Sequence, residues 1–372
     1  MKPGTFNVVT DGQWGSCGKG HTTIALAEKF RPDIIGTTNM ANAGHTACGW
    51  TKDEVHVAKA LPSAAILARW LATSTRPYWP DIYVGATAAF NLQQMLKEIE
   101  VTGCRDRLHI HPRAGVITEA HRYREDNGTQ SSVRHIASTM QGCGEFLADK
   151  ILRCKDLRLA RDYEELQSWI FQEMHLNLAH RLKYGRTYLH EGAQGFSLDI
   201  SHGSHYPECT SRGTTAIQNL ADMGVAPKYL GNVYLVIRPY PIRVGNVEGG
   251  HSGGCYPDQK ETSWHTVALG AEMTMEQYEH LHQSEVTTVT KRQRRVFTFS
   301  PQQVKEAAIV NGATQIVVNF ADQIDIRAKG CNSWQSLPPK VHKFIHMVEQ
   351  ITGVPVTMVG TGPKIGDYCW RR

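Results

Sequence analysis

Residues 6–20 read FNVVTDGQWGSCGKG, an apolar run followed by a glycine-rich turn. The run Phe6–Thr10 predicts a short buried strand, and the residues from Lys19 to Lys29 predict a helix. Glycines let a backbone approach an oxyanion closely, and the first N–H groups of a helix lack intrahelical partners. Since Lys19 adds a mobile positive charge, the stretch predicts a loop that binds phosphate groups. A plain structural turn between strand and helix is the alternative.

This loop differs from the Walker A sequence GxxxxGK[ST] in two ways. The spacing from Gly12 to Gly18 is one residue too long, and Gly20 stands where Walker A has its magnesium-binding Ser or Thr. The segment is therefore predicted to be a modified phosphate loop.

Strand-like and helix-like runs alternate along the rest of the chain. Further strands are predicted at Ile34–Thr37, Asp81–Gly85, Thr187–Gly192, Tyr234–Ile237 and Gln315–Phe320, a helix at Ala88–Glu100, and loops at Asn42–Thr46, Asp126–Ser132 and Gly245–Gln259. The alternation predicts an α/β fold with a mainly parallel central sheet flanked by helices, as one domain over residues 1–372. Ligands of such folds gather at the carboxyl ends of the strands.

Composition excludes several classes of protein. No run reaches the roughly 18 apolar residues of a membrane helix, and Met1–Val9 lacks the pattern of a secretory signal. The nine cysteines form no CxxC pair, which argues against a disulfide framework or zinc site and predicts a cytoplasmic protein. The basic stretches Lys291–Arg295 and Arg105–Arg134 lack interleaved aromatics and any nucleic-acid-binding motif. Small phosphates and carboxylates, and neither nucleic acid nor membranes, are the predicted partners.

Six sequence blocks resemble those of adenylosuccinate synthetases and occur in the same order. They are Gln13–Gly20 (QWGDEGKGK in the family), Asn42–Thr46 (NAGHT), Glu191–Gly203 (EGAQG and LDIDHG), Thr210–Ala216 (VTSSNTTA), Thr290–Arg295 (TGRRRR) and Thr361–Pro363 (STGP). Because the blocks span nearly the whole chain, the protein is identified as a member of this family.

The resemblance implies a ligase that joins aspartate to a purine monophosphate at the expense of a nucleoside triphosphate. A base removes the purine N1 proton, O6 attacks the γ-phosphate, and the aspartate amine then displaces the phosphate from the 6-phosphoryl purine. The enzyme contributes alignment and charge stabilisation, with Mg²⁺ as the implied cofactor.

The resemblance also implies a binding role for each block. The triphosphate would contact Gly15, Cys17, Gly18, Lys19, Gly20, Gly44, His45, Thr46, Asn319, Ala321, Gly360, Thr361 and Gly362. The purine monophosphate would contact Ser16, Asn42, Ser138, Thr139, Arg153, Gln194, Thr210 and Arg292. Aspartate would contact Thr290, Arg292 and Arg294, since an arginine fork pairs bidentately with carboxylates.

Catalytic and metal-binding roles follow from the same resemblance. Ser16, Lys19 and His45 are the implied catalytic residues, with His45 as an acid or hydrogen-bond donor to the phosphate oxygens. Ser16 and the Gly44 carbonyl are the implied contacts of the magnesium ion.

Arg153 predicts a homodimer. The segment Asp149–Arg153 resembles DKVAR, whose final arginine in the family reaches the monophosphate bound to the other subunit. A solvated charge at the end of a helix is the alternative interpretation.

Ser16 stands where the family has its catalytic aspartate, and Cys17 replaces the following glutamate. The family aspartate is the N1 base and a magnesium ligand, whereas a hydroxyl near neutral pH is neither basic nor anionic. A guanine carries a 2-amino group beside N1, which a carboxylate would crowd and a hydroxyl accommodates. The change resembles the bacteriophage branch of the family, the 2-aminoadenylosuccinate synthetases that act on dGMP. We therefore predict dGMP as substrate, in a host cytoplasm if the chain is phage-encoded, with Asp11 as a hypothetical substitute base.

The donor nucleotide is predicted to be ATP or dATP. The family reads the guanine of GTP with an aspartate in a TKxD segment after a late strand, and Ala321 stands at that position here. Loss of this acceptor weakens discrimination against adenine. A shift of one residue in the comparison would place Asp322 there and restore GTP.

Three other functions stay open. The nearest is an IMP-dependent adenylosuccinate synthetase of archaeal type, which Ser16 disfavours. A catalytically inactive nucleotide-binding regulator is disfavoured by the presence of Lys19, His45 and Gln194 together with the arginines of the TGRRRR-like block. A nucleic-acid binder without sequence preference would show a steep salt dependence of DNA binding.

Overall fold

The computed structural model describes residues 1–51, 53–127, 133, 135–287 and 290–371. The strands in these residues are β1 (Phe6–Asp11), β2 (Ile34–Thr37), β3 (His45–Cys48), β4 (Val55–Ala58), β5 (Asp81–Val84), β6 (Ala89–Phe90), β7 (Leu108–Ile110), β8 (Gly115–Val116), β9 (Tyr188–Glu191), β10 (Leu230–Ile237), β11 (Ile242–Arg243), β12 (Glu261–Thr262), β13 (Arg295–Phe297), β14 (Gln315–Val318), β15 (Val356–Gly360) and β16 (Tyr368–Trp370). The helices are α1 (Lys19–Phe30), α2 (Leu67–Trp70), α3 (Leu92–Thr102), α4 (Glu119–Asn127), α5 (Cys143–Leu152), α6 (Met174–Lys183), α7 (Ala216–Asp222), α8 (Trp264–Gly270), α9 (Met275–Ser284), α10 (Pro301–Asn311) and α11 (Pro339–Thr352).

A nine-stranded sheet forms the centre of the fold. Its order is β16-β15-β14-β10-β1-β9-β2-β5-β7, and every neighbouring pair is parallel except β15 and β16. The predicted α/β class with a mainly parallel sheet is confirmed. Smaller sheets are formed by β11-β13-β12, β3-β4 and β6-β8.

Strand β1 lies in the middle of the sheet and is buried along its whole length. Successive side chains of a strand point to opposite faces, and β1 follows this rule. Val9 packs into the core on one face, whereas Phe6 and Val8 pack into the core on the other. Helices therefore cover both faces, which explains why the run is almost continuously apolar.

Most predicted segments appear with shifted ends, and two were wrong in part. The helix predicted from Ala88 begins only at Leu92, because Ala89–Phe90 forms β6 and the Asn91 side chain caps α3 by accepting from the Gln94 N–H. The loop predicted at Asn42–Thr46 contains the start of β3, which pairs antiparallel with β4.

One of the other predicted loops overlaps the end of a helix, and the second agrees with the structure. Helix α4 extends to Asn127, inside the loop predicted at Asp126–Ser132, and residues 128–132 lie outside the described part of the chain. Gly245–Gln259 contains no helix or strand. Over the described residues, none of the helices has the length and apolar character needed to cross a membrane.

The parallel strands bring the predicted binding segments to one edge. The phosphate loop follows β1, the Asn42 segment follows β2, Gln194 follows β9 and Asn319 follows β14. Because carboxyl ends of parallel strands share an edge, these segments lie side by side, where open α/β sheets bind ligands.

Candidate functional site

Asp11, the last residue of β1, organises the phosphate loop. Its Oδ1 accepts from the backbone N–H groups of Gln13 (2.9 Å) and Gly15 (3.2 Å). Its Oδ2 accepts from the Cys17 N–H and from Lys19 Nζ, both at 3.1 Å. With both oxygens engaged and the side chain fully buried, Asp11 is not placed to remove a proton from a ligand. The hypothesis of Asp11 as substitute base is therefore wrong for this geometry.

The loop turns sharply at three positive φ angles. They belong to Gly15 (91°), Ser16 (54°) and Gly18 (86°). A residue other than glycine in this region carries strain of about 1–3 kcal/mol, which Ser16 bears. Its side chain is exposed, whereas that of Cys17 is buried, so Ser16 is the loop side chain that a ligand meets.

Asn319 fastens the end of β14 to the phosphate loop. Its Nδ2 donates to the Cys17 carbonyl (2.8 Å) and to Thr22 Oγ1 (3.1 Å). A Cβ on Gly18 would lie 2.6 Å from that nitrogen, and one on Gly360 would overlap Asn319 Oδ1. Both glycines are therefore needed because Asn319 packs closely against them. The amide nitrogen of Asn319 is used in hydrogen bonds that hold the phosphate loop.

His45, at the start of β3, pairs through Nδ1 with Oε1 of the fully buried Glu191. Glu191 also accepts from Ser63, at 3.1 Å from the backbone N–H and 2.9 Å from Oγ. Burial alone would raise the pKa of Glu191, but His45 and then Ser63 outweigh it and lower that pKa. An ionised carboxylate on Nδ1 fixes the ring orientation and leaves Nε2 for another partner.

Glu191 and Ser63 were not assigned a role from the sequence. An acidic residue that closes a buried strand was the available signal for Glu191. Ser63 carried none, because it reaches Glu191 only through the fold.

Helix α1 packs against β3 without space for a side chain. A Cβ on Gly20 would lie 2.8 Å from both Ser63 Oγ and the Thr46 carbonyl oxygen, and 3.0 Å from His45 Cβ. A Walker-type hydroxyl residue at this position would therefore collide with Ser63 and β3, so the start of α1 has no room for one. The contact also brings Lys19 and Gly20 beside His45 and Thr46.

Gln194 lies against the phosphate loop at the carboxyl end of β9. Its backbone adopts a φ of 60°, and its carbonyl carbon lies 3.7 Å from where a Cβ on Gly15 would stand. A Cβ on Gly195 would overlap the Gln13 carbonyl oxygen, so glycine permits this approach. The fold therefore brings Gln194 and Ser16 to neighbouring backbone segments.

Asn42 and Ser211 lie against the first turn of α5. The Cys143 thiol contacts the backbone of Asn42, and a Cβ on Gly144 would lie 3.9 Å from Ser211 Cβ, next to Thr210. This turn follows Ser138 and Thr139 closely in the chain.

Arg292 connects that region to the predicted aspartate site. Its Nη2 donates to the Ser138 carbonyl at 2.9 Å, its Nη1 to the Gly245 carbonyl at 3.1 Å and its Nε to Thr290 Oγ1 at 3.0 Å. The fold therefore places Arg292 between the Ser138 segment and Thr290, which were predicted to contact different substrates.

A cavity of about 530 Å³ lies beside this arginine segment. Arg292 and Arg294 line it, with Trp264 and His265 from α8 and Tyr278 from α9. Arg294 Nη1 donates to the buried Glu285 at 2.7 Å. Thr288 and Val289, between Glu285 and Thr290, lie outside the described residues.

Arg153 is not brought to the site of its own chain. It ends α5 with a φ of 56° and is exposed, at the opposite end of the helix from Cys143. Ten helical residues span about 15 Å. The side chains beside it, Ile151 and Leu152, are 76% and 71% exposed.

Several residues predicted to contact the donor nucleotide are buried or already bonded to other parts of the protein. Ala321 has no exposed surface and packs in the apolar core, which argues against a contact with the base. Thr361 is also buried, and its Oγ1 donates to the Cys331 carbonyl at 2.6 Å. Asp322 is half-buried, and burial raises its pKa to about 6. A Cβ on Gly362 would lie 2.5 Å from Asp367 Oδ2.

The predicted magnesium contacts are neutral oxygens, the Ser16 hydroxyl and the Gly44 carbonyl. The described residues contain no cluster of three or more His, Cys, Asp or Glu side chains suited to a metal ion. Mg²⁺ commonly keeps several waters and binds substrate phosphates. Ser16 and Gly44 therefore fit an ion whose other ligands come from phosphate and water.

The chain resembles known proteins in both sequence and fold. A model of the adenylosuccinate synthetase family matches residues 8–173 and 155–329. The chain belongs to the adenylosuccinate synthetase family. It is accordingly a carbon–nitrogen ligase of purine biosynthesis that binds nucleotides.

Among curated relatives, the adenylosuccinate synthetase of Methanocaldococcus jannaschii is 31% identical over 365 residues, with 97% of this chain and 95% of that protein covered. That of Archaeoglobus fulgidus is 30% identical, with 96% of each chain covered.

Two solved structures share the fold. The cyanophage S-2L succinoaminodeoxyadenylate synthetase PurZ, bound to dGMP and to dATP as an energy donor, is 30% identical with a TM-score of 0.79, over 98% of this chain and 95% of PurZ. The fully ligated adenylosuccinate synthetase of Plasmodium falciparum gives a TM-score of 0.80 at 18% identity, over 99% and 100%, and supports the fold alone.

Proposed function

We propose that this ligase joins L-aspartate to dGMP and yields 2-amino-2'-deoxyadenylosuccinate, a precursor of diaminopurine DNA. One observation carries the proposal. Ser16 is the exposed side chain of the phosphate loop, at the position where the family pattern has an aspartate.

The steric argument concerns the atoms next to purine N1. A guanine bears an amine on C2, and a hydroxyl at Ser16 accepts a hydrogen bond from that amine where a carboxylate would crowd it. Gln194, whose amide both donates and accepts, lies beside the same loop and suits the polar edge of the base.

Two relatives support different substrates. PurZ, whose structure holds dGMP and dATP, supports dGMP with ATP or dATP as donor. The archaeal adenylosuccinate synthetases are equally similar in sequence and favour IMP, which is the second candidate. We favour dGMP because a hydroxyl at Ser16 leaves room for the 2-amino group of a guanine.

Phosphoryl transfer rests on charge and alignment. Lys19 and His45 would contact the transferred phosphate, His45 through the nitrogen that Glu191 leaves available. Mg²⁺, when bound near Ser16 and Gly44, would neutralise phosphate charge. Arg292 and Arg294 would hold the aspartate carboxylates for attack by its amine.

We further propose that the active unit is a homodimer in which Arg153 of the partner subunit completes the monophosphate site. Arg153 lies away from its own site, and the exposed apolar residues Ile151 and Leu152 flank it. An exposed apolar pair next to a required cation is expected at an interface between copies.

Adenine is the proposed base of the donor. The buried Ala321 offers no acceptor to a guanine, so the bidentate contact that selects GTP in the family is missing here. If the Asp322 carboxyl group, one residue further along the chain, turned toward the base, it would restore guanine selection.

Steady-state kinetics of the purified protein with aspartate, Mg²⁺ and each nucleotide pair test the function. We expect a higher kcat/KM for dGMP than for IMP, and for ATP or dATP than for GTP. Ser16→Asp should reduce dGMP turnover by about tenfold or more, since the added carboxylate crowds the 2-amino group. Faster turnover of IMP, or improved dGMP turnover in Ser16→Asp, would overturn the assignment.

A further inference from the structure

A buried chain of charges connects the phosphate loop to the arginine segment. Arg238, the residue after β10, is fully buried, and its Nη1 donates to the Ser16 carbonyl at 3.3 Å. Its Nη2 donates to Glu285 Oε1 at 2.5 Å. The other oxygen, Glu285 Oε2, accepts from Arg294 Nη1 at 2.7 Å. Glu285 therefore lies between the residue predicted to meet the purine and one predicted to meet aspartate.

The two middle residues of this series, Arg238 and Glu285, make further contacts. The Gln13 side chain accepts from the Arg238 N–H at 2.9 Å and donates to the Arg238 carbonyl at 3.0 Å. Gln323 accepts from Arg238 at 3.1 Å and donates to Glu285 at 3.1 Å. The Phe320 ring lies 4.1 Å from the Arg238 guanidinium. These contacts leave the carboxylate of Glu285 little freedom.

Charge explains why an acid is needed between the two arginines. Two buried guanidinium groups repel each other unless an anion lies between them, and a desolvated charge without a partner is costly. Burial alone would raise the pKa of Glu285, but Arg238 and Arg294 outweigh it and lower that pKa to about 2. Glu285 is therefore ionised at neutral pH and can hold both.

We propose that Glu285 is a positioning residue which, through Arg294, sets the affinity for the aspartate substrate. This inference rests on the proposed role of Arg294 in aspartate binding. Arg294 contacts Glu285 through Nη1, and its side chain lines the cavity beside Arg292. The other edge of the Arg294 guanidinium is then oriented for a carboxylate before the substrate arrives.

The test is Glu285→Gln in the full chain, with KM measured separately for aspartate, purine monophosphate and nucleoside triphosphate. We expect KM for aspartate to rise about tenfold or more, because Arg294 loses its charged anchor. KM for the two nucleotides should change less than about threefold. A purely structural role would lower kcat or Tm without this selectivity.

Glu272→Gln is the matched control. Glu272 is exposed and pairs with Lys340 at 2.5 Å, and neither residue lines the cavity beside Arg294. The loss of this carboxylate should leave all three KM values unchanged.

A double-mutant cycle shows whether Glu285 acts through Arg294. If it does, Glu285→Gln combined with Arg294→Lys raises KM for aspartate no further than the worse single variant. Additive effects would overturn the inference. Should Glu285→Gln fail to fold, Glu285→Asp keeps the charge but is one methylene shorter, and a smaller rise confined to aspartate is expected.

Direct aspartate binding separates this inference from the substrate assignment. Calorimetry on wild type and Glu285→Gln, saturated with the purine monophosphate, should show weaker aspartate binding in the variant. If wild type turns over IMP and not dGMP, the substrate proposal fails while the aspartate effect still supports Glu285. Wild-type protein that binds no aspartate, or a variant that binds it equally well, would overturn the inference.

Discussion

Lys19 Nζ lies 3.1 Å from Asp11 Oδ2, and both side chains are almost completely buried. The pair joins the last residue of the central strand to the first residue of the first helix, so it closes the phosphate loop from within. Lys19, the proposed phosphate ligand, is therefore held by the protein itself, and its partner is a carboxylate that also accepts from three backbone N–H groups.

Asp11→Asn should destabilise the protein and abolish triphosphate binding. The change leaves Lys19 as a buried cation without a counterion, which typically costs about 3–5 kcal/mol. Thermal denaturation and titration with ATP measure the two effects. Asp156→Asn, at an exposed position, is the control and should match wild type. A variant with wild-type Tm and full ATP affinity would show that the pair does not hold the loop.

Gly20→Ser restores the Walker-type hydroxyl in sequence, and we expect it to impair the protein. The new Cβ meets Ser63 Oγ and the Thr46 carbonyl at 2.8 Å, so α1 and β3 must separate. Overpacking of this kind costs about 1–3 kcal/mol, and the shift also displaces His45. Gly366→Ser is the matched control, because no atom lies within 4 Å of a Cβ there. Tm and kcat of the two variants should separate clearly; equal values would refute the packing argument.

Glu191→Gln should lower kcat about 100-fold, the scale of a lost general acid or base contribution. The neutral amide replaces the ionised carboxylate that orients the His45 ring, and the pH dependence of kcat should change with it. Glu98→Gln is the control, since Glu98 is also buried and accepts from the N–H groups of Lys59, Ala60 and Leu61. Glu98→Gln should lower Tm and leave the pH profile of kcat unchanged. Similar profiles in both variants would reduce Glu191 to a structural residue.

Local pattern predicted the parts of this fold that depend on few neighbours. The buried run of β1 and the helix after Gly18 were predicted within a residue or two, because periodicity and glycine placement act locally. The two-residue strand at Ala89–Phe90 was missed, since it forms through pairing with Gly115–Val116 and with Met40. Short strands of this kind depend on tertiary contacts and leave little trace in sequence.

Site residues that directly follow a strand could be predicted from the sequence. Contacts between residues far apart in the sequence could not. Gln194 and Asn319 were placed correctly at strand ends, but the use of the Asn319 amide by the phosphate loop joins residues 302 positions apart. Glu285 and Arg238 gave no signal for the same reason, being 47 positions apart. A buried ion pair between distant residues follows from the fold and not from any motif.

Mixing two inactive variants tests the homodimer. Lys19→Met lacks its own phosphate lysine, and Arg153→Ala lacks the arginine given to the partner subunit. Random exchange of subunits gives hybrid dimers with one complete site, so activity should return to about a quarter of wild type. Arg158→Ala, an exposed arginine further along, replaces Arg153→Ala in the control mixture. Activity that stays at the level of the separate variants, or wild-type activity of Arg153→Ala alone, would exclude a shared site.

Because of the Asp322 carboxyl group, the free energy of unfolding should fall as the pH rises from about 4 to about 6. Burial raises the pKa of Asp322 from 3.8 to about 6 in the folded protein, so the folded state holds this proton more tightly than the unfolded state. Between those pH values the unfolded chain releases the proton first, which favours unfolding. Asp322→Asn stays neutral throughout and escapes the penalty. We expect its Tm to equal that of wild type near pH 3.8 and to exceed it by about 2 °C or more above pH 6. Asp156→Asn should show no such pH-dependent difference, and a constant or reversed difference for Asp322→Asn would contradict the placement of this carboxyl group.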